Sequence, residues 1–289
     1  MSVKPCEECH GHRLKKSSLA VTVNSYKGNS IIKAKEGEIM DSIKNIYRVG
    51  HGPSSSHTMA PQIASMRFKE MYSNAYRYTV ELFGSLALTG KGHLADKVII
   101  DTLGPNTKVL FNFEQIYNYH PNAMKFKAYS EDDVQIAKWL VFSVGGGELK
   151  ELNEPRDITD EQIYQESSME EILKVCKNKT LLEYINAHEE INEHLNNVWQ
   201  TMQDAIKRGL SSTERLPGKL QLERRSKGFY QKYLETKNNN AFIYSIALAV
   251  SEENASGNIV STAPTCGSCG VMPAVLYYAK EILNKSDQD

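Results

Sequence analysis

The spacing of apolar residues changes once along this chain, near residue 150, and that change restricts the fold more than any other feature. Before it, alternation dominates. "YTVELF" sets Tyr78, Val80 and Leu82 on one side of an extended segment. "KVLFNF", "MKFKAY" and "KWLVFSV" are further strand candidates, the last closed by Gly145, Gly146 and Gly147. "QIASMRFKEMY" and "LADKVIIDTL" read as helices, and in "MDSIKNIYRVG" the residues Ile43, Ile46, Tyr47 and Val49 line one face of a further predicted helix. Residues 40–154 are therefore expected to form an α/β domain. After it, Leu181, Ile185, His188, Ile191, Leu195, Val198, Met202 and Ile206 recur at steps of three or four. That spacing predicts one long amphipathic helix ending near Gly209. "AFIYSIALAV" and "PAVLYYAKEIL" read as buried helices, and no stretch of 155–289 alternates, so this half is expected to be all-helical. Residues 1–39 are polar, lack a sustained period and are expected to be a disordered appendage.

Charge and cysteine usage narrow the function classes. Lys and Arg total 34 against 35 for Asp and Glu in 289 residues, so there is no broad basic field for nucleic acid or an anionic membrane. The apolar runs 241–250 and 271–279 are too short to span a bilayer. "MSVKPCEECHGHRLKK" has no apolar core region of a secretory signal, which places the protein in the cytoplasm. Five cysteines, an odd count, argue against a disulfide framework. Cys6 and Cys9 in "CEECH" match a haem-attachment pattern and are also able to take a divalent metal; a flexible tail without a native site is the plainer reading.

Four segments concentrate polar residues in turns. "GHGPSSSHT" offers Ser54, Ser55, Ser56 and His57 beside a Gly-Pro step. "GSLALTGKGH" brings Ser85, Lys91 and His93 among three glycines, and its spacing does not fit a nucleotide-phosphate loop, although its backbone N–H groups suit a carboxylate. "HPNAM" restricts His120 through the following proline and gives Asn122 a donor and an acceptor. "TCGSCG" holds Cys266 and Cys269; a redox pair is disfavoured there by all-helical surroundings. Any one of these histidines, taken alone, is better explained by a local backbone contact than by proton transfer.

Their wording and order carry more. "VGHGPSSSHT", "GSLALTGKGH", "HPNAMKF", "SVGGG", "HLNNVWQTM", "RGL…LPG", "AVSEENASG" and "TAPTCGSCGVMPAVLYY" resemble the bacterial iron–sulfur L-serine dehydratases (L-serine ammonia-lyases), from about Met40 to about Leu283. The resemblance implies an α/β domain similar to the allosteric substrate-binding domain of some phosphoglycerate dehydrogenases. It also implies an all-helical catalytic domain holding a [4Fe-4S] cluster through three cysteines, with Cys269 as the first. Cys266 falls where many relatives have another residue. The implied reaction takes L-serine to pyruvate and ammonia. In it, Ser54, Ser55, Ser56, Ser85 and Lys91 hold substrate, His57 stands near the cluster, His93 and His120 form an acid–base pair, and Asn122 orients the substrate.

Two departures stand out. Ala123 replaces a glycine of the pattern, which is unfavourable if that position needs positive φ. The family's later cysteine motifs are absent, so the expectation is a C-terminally truncated catalytic domain, inactive alone, whose remaining ligands come from a separate C-terminal segment, and which forms a homo-oligomer when complete. A cluster-free amino-acid sensor and a remnant without function are the alternatives.

Overall fold

The computed structural model describes residues 42–152, 163–166, 168–218 and 220–287. They belong to two compact units, one within residues 160–189 and one made of 42–159 with 190–289. The proposed appendage 1–39, with Cys6 and Cys9, lies outside the described residues.

In the larger unit a short strand, β1 (Val49–His51), leads into a π turn at Ser55–Met59 and then helix α1 (Ala60–Met71). Pro61 sits in the first turn of α1, where its missing N–H costs nothing. Strand β2 (Arg77–Phe83) follows, then helices α2 (Gly84–Thr89) and α3 (Ala95–Leu103), and strands β3 (Thr107–Asn112), β4 (Ala123–Tyr129), β5 (Gln135–Gly145) and β6 (Glu148–Glu151). The five-stranded sheet has the order β3-β2-β4-β5-β6; β2 and β3 run parallel across the α2–α3 connection, and the other pairs are antiparallel. The alternation read from β2 is the one that matters: Tyr78, Val80 and Leu82 join Phe68 of α1, Val98 and Ile99 of α3, and Met124 and Phe126 of β4 in one core. Phe68 lies stacked on Trp139 of β5 and tilted against Phe126. Burying a side chain of this size contributes roughly 1.5–3 kcal/mol.

The expected helix over Ile43–Val49 does not form. A single 3₁₀ turn covers Ile43–Asn45, and the chain then extends because its backbone has other partners. Arg48 N–H donates to Thr262 Oγ1 at 2.8 Å, Thr262 N–H donates to the Arg48 carbonyl at 2.9 Å, and β1 pairs antiparallel with a strand from the other half of the sequence.

The smaller unit contains α4 (Met169–Val175) and α5 (Leu181–Asn186), the latter opened by a reciprocal cap between Thr180 and Glu183. Tyr164 donates to Glu189 and Tyr184 to Glu166, with His188 packed against both rings. The long helix predicted from Leu181 to Gly209 is in fact two, a correction with a local cause. His188 Nδ1 bonds the Tyr184 carbonyl at 2.8 Å, and Asn192 N–H donates to Glu190 Oε1 at 3.0 Å, so the backbone turns between them.

Back in the larger unit, α6 (Asn192–Ser211), α7 (Ser226–Thr236) and α8 (Asn239–Ala255) pack together; β7 (Ile259–Ser261) and α9 (Val271–Glu281) complete it. Val49, Gly50 and His51 of β1 face Ser261, Val260 and Ile259 of β7. The region expected to be all-helical therefore carries one strand of three residues, too short to show alternation. The chain is a mixed α/β protein in which a five-stranded sheet is followed by helices.

Candidate functional site

The loop after β1 is tightly wound. Thr58 and Met59 N–H both donate to the Ser54 carbonyl, at 2.9 and 3.0 Å, which opens the turn to five residues. Such π turns are rare and concentrate at functional positions. Ser54 Oγ accepts from His57 N–H at 3.1 Å, and Thr58 Oγ1 donates to the His93 carbonyl at 2.7 Å. The turn thus faces two ways. Met59 is buried in the helical core, where Cys266 Sγ lies 3.9 Å from its sulfur. His57 points to the α2 side: its Nε2 is hydrogen-bonded to Ser85 Oγ at 2.9 Å, and its ring centroid lies 4.9 Å from that of His93.

Gly84 makes this possible. It starts α2 with φ +52°, and a Cβ there would lie 2.2 Å from the Pro121 carbonyl oxygen, so only glycine admits the approach of the "HPNAM" segment. That segment is joined to the serine loop by β5. Ser143 N–H donates to the Asn122 carbonyl at 2.9 Å, while Ser143 Oγ donates to the Ser56 carbonyl at 2.9 Å. Asn122 Nδ2 donates to the Ser143 carbonyl at 3.4 Å, and its Oδ1 is buried without a hydrogen-bond partner among the described residues. Ala123 opens β4, is fully buried and is not among the described residues with positive φ, so the replacement of glycine is accommodated.

The tautomers follow from the partners. His93 Nδ1 contacts the Thr89 carbonyl at 2.9 Å; a carbonyl only accepts, so neutral His93 carries its proton on Nδ1 and a lone pair on Nε2. Asn122 N–H donates to His120 Nδ1 at 3.2 Å, so neutral His120 carries its proton on Nε2. Burial, and secondarily the neighbouring His93, lower the His57 pKa; burial alone lowers that of His120.

Ser54, Ser55, Ser56, His57, Ser85, His93, His120 and Asn122 all belong to three segments linked by these contacts. Lys91 does not join them: it sits on an exposed turn, and its side chain makes no hydrogen bond or ion pair among the described residues. Cys269 lies on the other side of Met59, buried in the helical core with its Sγ 4.0 Å from the Val250 carbonyl.

A family model described as the serine dehydratase alpha chain matches residues 85–289, and one described as the serine dehydratase beta chain matches residues 42–106. The chain belongs to the serine dehydratase family. It is 32% identical to "L-serine dehydratase 2" of Escherichia coli (strain K12), with 84% of this chain and 67% of that protein covered. It is 29% identical to an L-serine dehydratase of Haemophilus influenzae, covering 85% and 67%, and 33% identical to one of Helicobacter pylori (strain 26695), covering 84% and 66%. The chain spans about two thirds of the length of these relatives.

Members of this lyase family are the frame for the thiols. Burial, and then the neighbouring Cys269, push the Cys266 thiol up to about 12; burial, partly offset by a backbone hydrogen bond, pushes Cys269 to about 12. Thiolates, not thiols, ligate iron. Among the described residues no group of three or more His, Cys, Asp or Glu side chains stands ready to hold a metal ion. These residues alone do not fit a four-iron cluster, which takes several thiolates converging on one cavity.

Four residues in contact with the loop after β1, or part of it, are not singled out by a reading of motifs. Thr58 and Met59 fix the two faces of the π turn, and Ser143 stands at the end of an ordinary strand pattern. Asn254 donates from Nδ2 to the Pro53 carbonyl at 3.3 Å. Its motif "AVSEENASG" was visible, but nothing in the spacing singles out the asparagine.

Proposed function

We propose that this chain carries the proton-transfer and substrate-holding part of an L-serine ammonia-lyase, which converts L-serine to pyruvate and ammonia. The observation that carries this reading is the meeting of His57 with Ser85 and His93, on a loop that Ser143 ties through Ser56 to Asn122 and its neighbour His120, from segments far apart in sequence. Serine must lose its α-proton and its β-hydroxyl. The lone pair on His93 Nε2 suits the first task and the proton on His120 Nε2 suits the second. The resulting aminoacrylate tautomerises to an imine, and water releases ammonia and leaves pyruvate. Ser54–Ser56 and Ser85 supply hydroxyls for the carboxylate, Lys91 is able to swing in from its turn, and Asn122 orients the substrate. In the arrangement implied by the family resemblance, α/β and helical domains meet near residue 154, Cys269 is one ligand of a [4Fe-4S] cluster, and the other ligands come from outside the described residues. A cytoplasmic, homo-oligomeric enzyme belongs to the same reading.

The thiol count favours a second reading, a cluster-free module that binds an amino acid without changing it. One experiment separates the two. Anaerobic protein with iron and sulfide is supplied with the C-terminal third of a longer relative, and pyruvate from L-serine is followed. Pyruvate that falls by roughly 10²–10⁴ in His120→Ala supports the lyase. Serine binding without pyruvate under these conditions supports the binding module and overturns the lyase.

A further inference from the structure

Helix α8 touches both chemically marked regions, on successive turns of one face. A Cβ on Gly270 would lie 2.4 Å from the Ala247 carbonyl oxygen and 2.6 Å from Ser251 Oγ, so the thiol turn rests directly on the helix. Val250 offers its carbonyl to Cys269 Sγ. One turn on, at the i+4 position, Asn254 meets the histidine loop. A Cβ on Gly52 would lie 2.3 Å from both the backbone oxygen and the Oδ1 of Asn254. The end of this helix is itself pinned. Glu252 accepts from Arg225 N–H and Ser226 N–H at 2.6 and 3.3 Å, and from Ser226 Oγ at 2.7 Å. Glu253 takes Arg208 and Arg224 at 3.1 and 2.9 Å, and Asn258 Nδ2 at 2.9 Å.

The Asn254 amide has a definite orientation. The Pro53 carbonyl only accepts, so Nδ2 must face it. Oδ1 is thereby turned toward Gly52 and left buried with no donor among the described residues. An orphaned acceptor is unfavourable, and the residue is only 8% exposed, so the one hydrogen bond that Nδ2 makes to Pro53 is set against the one that Oδ1 lacks. A polar side chain kept at such a position calls for a role other than packing.

We propose that Asn254 is a positioning residue for the histidine loop: through the Pro53 carbonyl it sets where His57 stands against Ser85 and His93, and helix α8 thereby ties that loop to Cys269. The assignment concerns the same site as the serine reading, but its test needs no serine.

The test follows the imidazole titration of His57 by NMR in the full chain, beside thermal unfolding, for wild type, Asn254→Leu and Asn254→Ala. His188, in the smaller unit, serves as the internal reference. In Asn254→Leu the unfolding temperature stays close to that of wild type, because removal of the orphan acceptor offsets loss of the Pro53 hydrogen bond. His57 nevertheless titrates upward, toward the ordinary imidazole range, by about half a pH unit or more as the loop loosens and water enters. Asn254→Ala shows the same His57 movement with a lowered unfolding temperature. A His57 titration in Asn254→Leu equal to that of wild type overturns the proposal. So does an Asn254→Leu chain that does not fold, since the residue then serves the fold itself. If the split is observed and the chain neither binds nor turns over serine, the positioning role stands and only the serine reading falls.

Discussion

The histidine loop and the thiol turn lie on either side of Met59, and they are built in opposite ways. The loop at Ser54–Met59 is a set of polar contacts whose partners fix the state of each group: Ser54 caps His57, Ser85 meets its ring, Thr58 holds the His93 carbonyl. The turn at Cys266–Cys269 is apolar, packed among Met59, Val250, Ile246 and Ala274, and its thiols are held protonated by that packing. One region has its proton acceptors and donors already set. The other holds its potential ligands as buried, protonated thiols. The difference teaches that membership of a lyase family and readiness of a site are separate properties of a chain.

The contrast is most sharply broken at the thiols. A thiol titrating near 12 is ionised about 10³-fold less at pH 8 than an ordinary one near 8.5. Cys266 and Cys269 are thus expected to alkylate with iodoacetamide at least about 10³-fold more slowly in the folded chain than after unfolding. Site-resolved mass spectrometry reads this directly. Native rates within tenfold of the unfolded ones would show that the thiol turn opens, and the two regions would then be less different than their packing implies.

The next effect concerns the glycine under the polar region. Gly84→Ala forces a Cβ toward the Pro121 carbonyl in a backbone conformation that L-residues avoid. Strain and overpacking together are expected to destabilise the chain by about 2–4 kcal/mol in urea unfolding. Gly146→Ala, also at positive φ but with nothing within 4 Å, is the control and costs about 1 kcal/mol. Equal losses in the two variants would mean that the approach of the "HPNAM" segment to α2 is not tight.

Much of this architecture was legible in the sequence, and the exceptions have physical causes. The strands β2 to β5 were readable because one face of the sheet is buried, which writes period two into Tyr78, Val80 and Leu82. The break between α5 and α6 was not, because the apolar period runs on through Ile191 while the turn is made by single polar contacts of His188 and Glu190. Strand β7 is too short to alternate, and its pairing with β1 spans some two hundred residues. The candidate site residues could be proposed one segment at a time, without their mutual contacts. That His57 meets Ser85, or that Ser143 ties Ser56 to Asn122, depends on Gly84 and on the register of β4 with β5, which no local pattern states.

A smaller effect distinguishes the regions by pH. His57 and His120 both have lowered pKa values in the fold, so the unfolded chain binds protons more readily than the native one. Their contribution to stability is complete above the ordinary imidazole value of 6.5 and is lost as the pH falls from there toward the depressed native values. Urea unfolding between pH 8 and pH 5 is expected to show stability falling over that window. The slope should shrink in His57→Gln and again in His57→Gln/His120→Gln. The thiols contribute nothing there, since both stay protonated throughout. An unchanged slope in the double variant would mean that these imidazoles titrate freely, and that the polar region is wetter than its contacts imply.

The smallest structural effect is expected at Lys91, the proposed substrate-holding residue that stands apart from the serines. Its turn is exposed and its ammonium has no partner among the described residues, so Lys91→Ala removes no contact that the fold depends on. Stability should change by no more than about 0.5 kcal/mol, the range of surface substitutions away from caps and cores. The His57 titration should not move, because the loop is fixed by Ser54, Ser85 and Thr58 rather than by Lys91. Affinity for L-serine is the informative measurement. An ammonium that closes on a carboxylate only when substrate is present contributes to binding and to nothing else, so calorimetry should show weaker binding, by roughly ten- to a hundredfold for one charge-assisted hydrogen bond. Serine affinity equal to that of wild type would remove Lys91 from the site and leave the carboxylate to the serine hydroxyls and the backbone of the π turn.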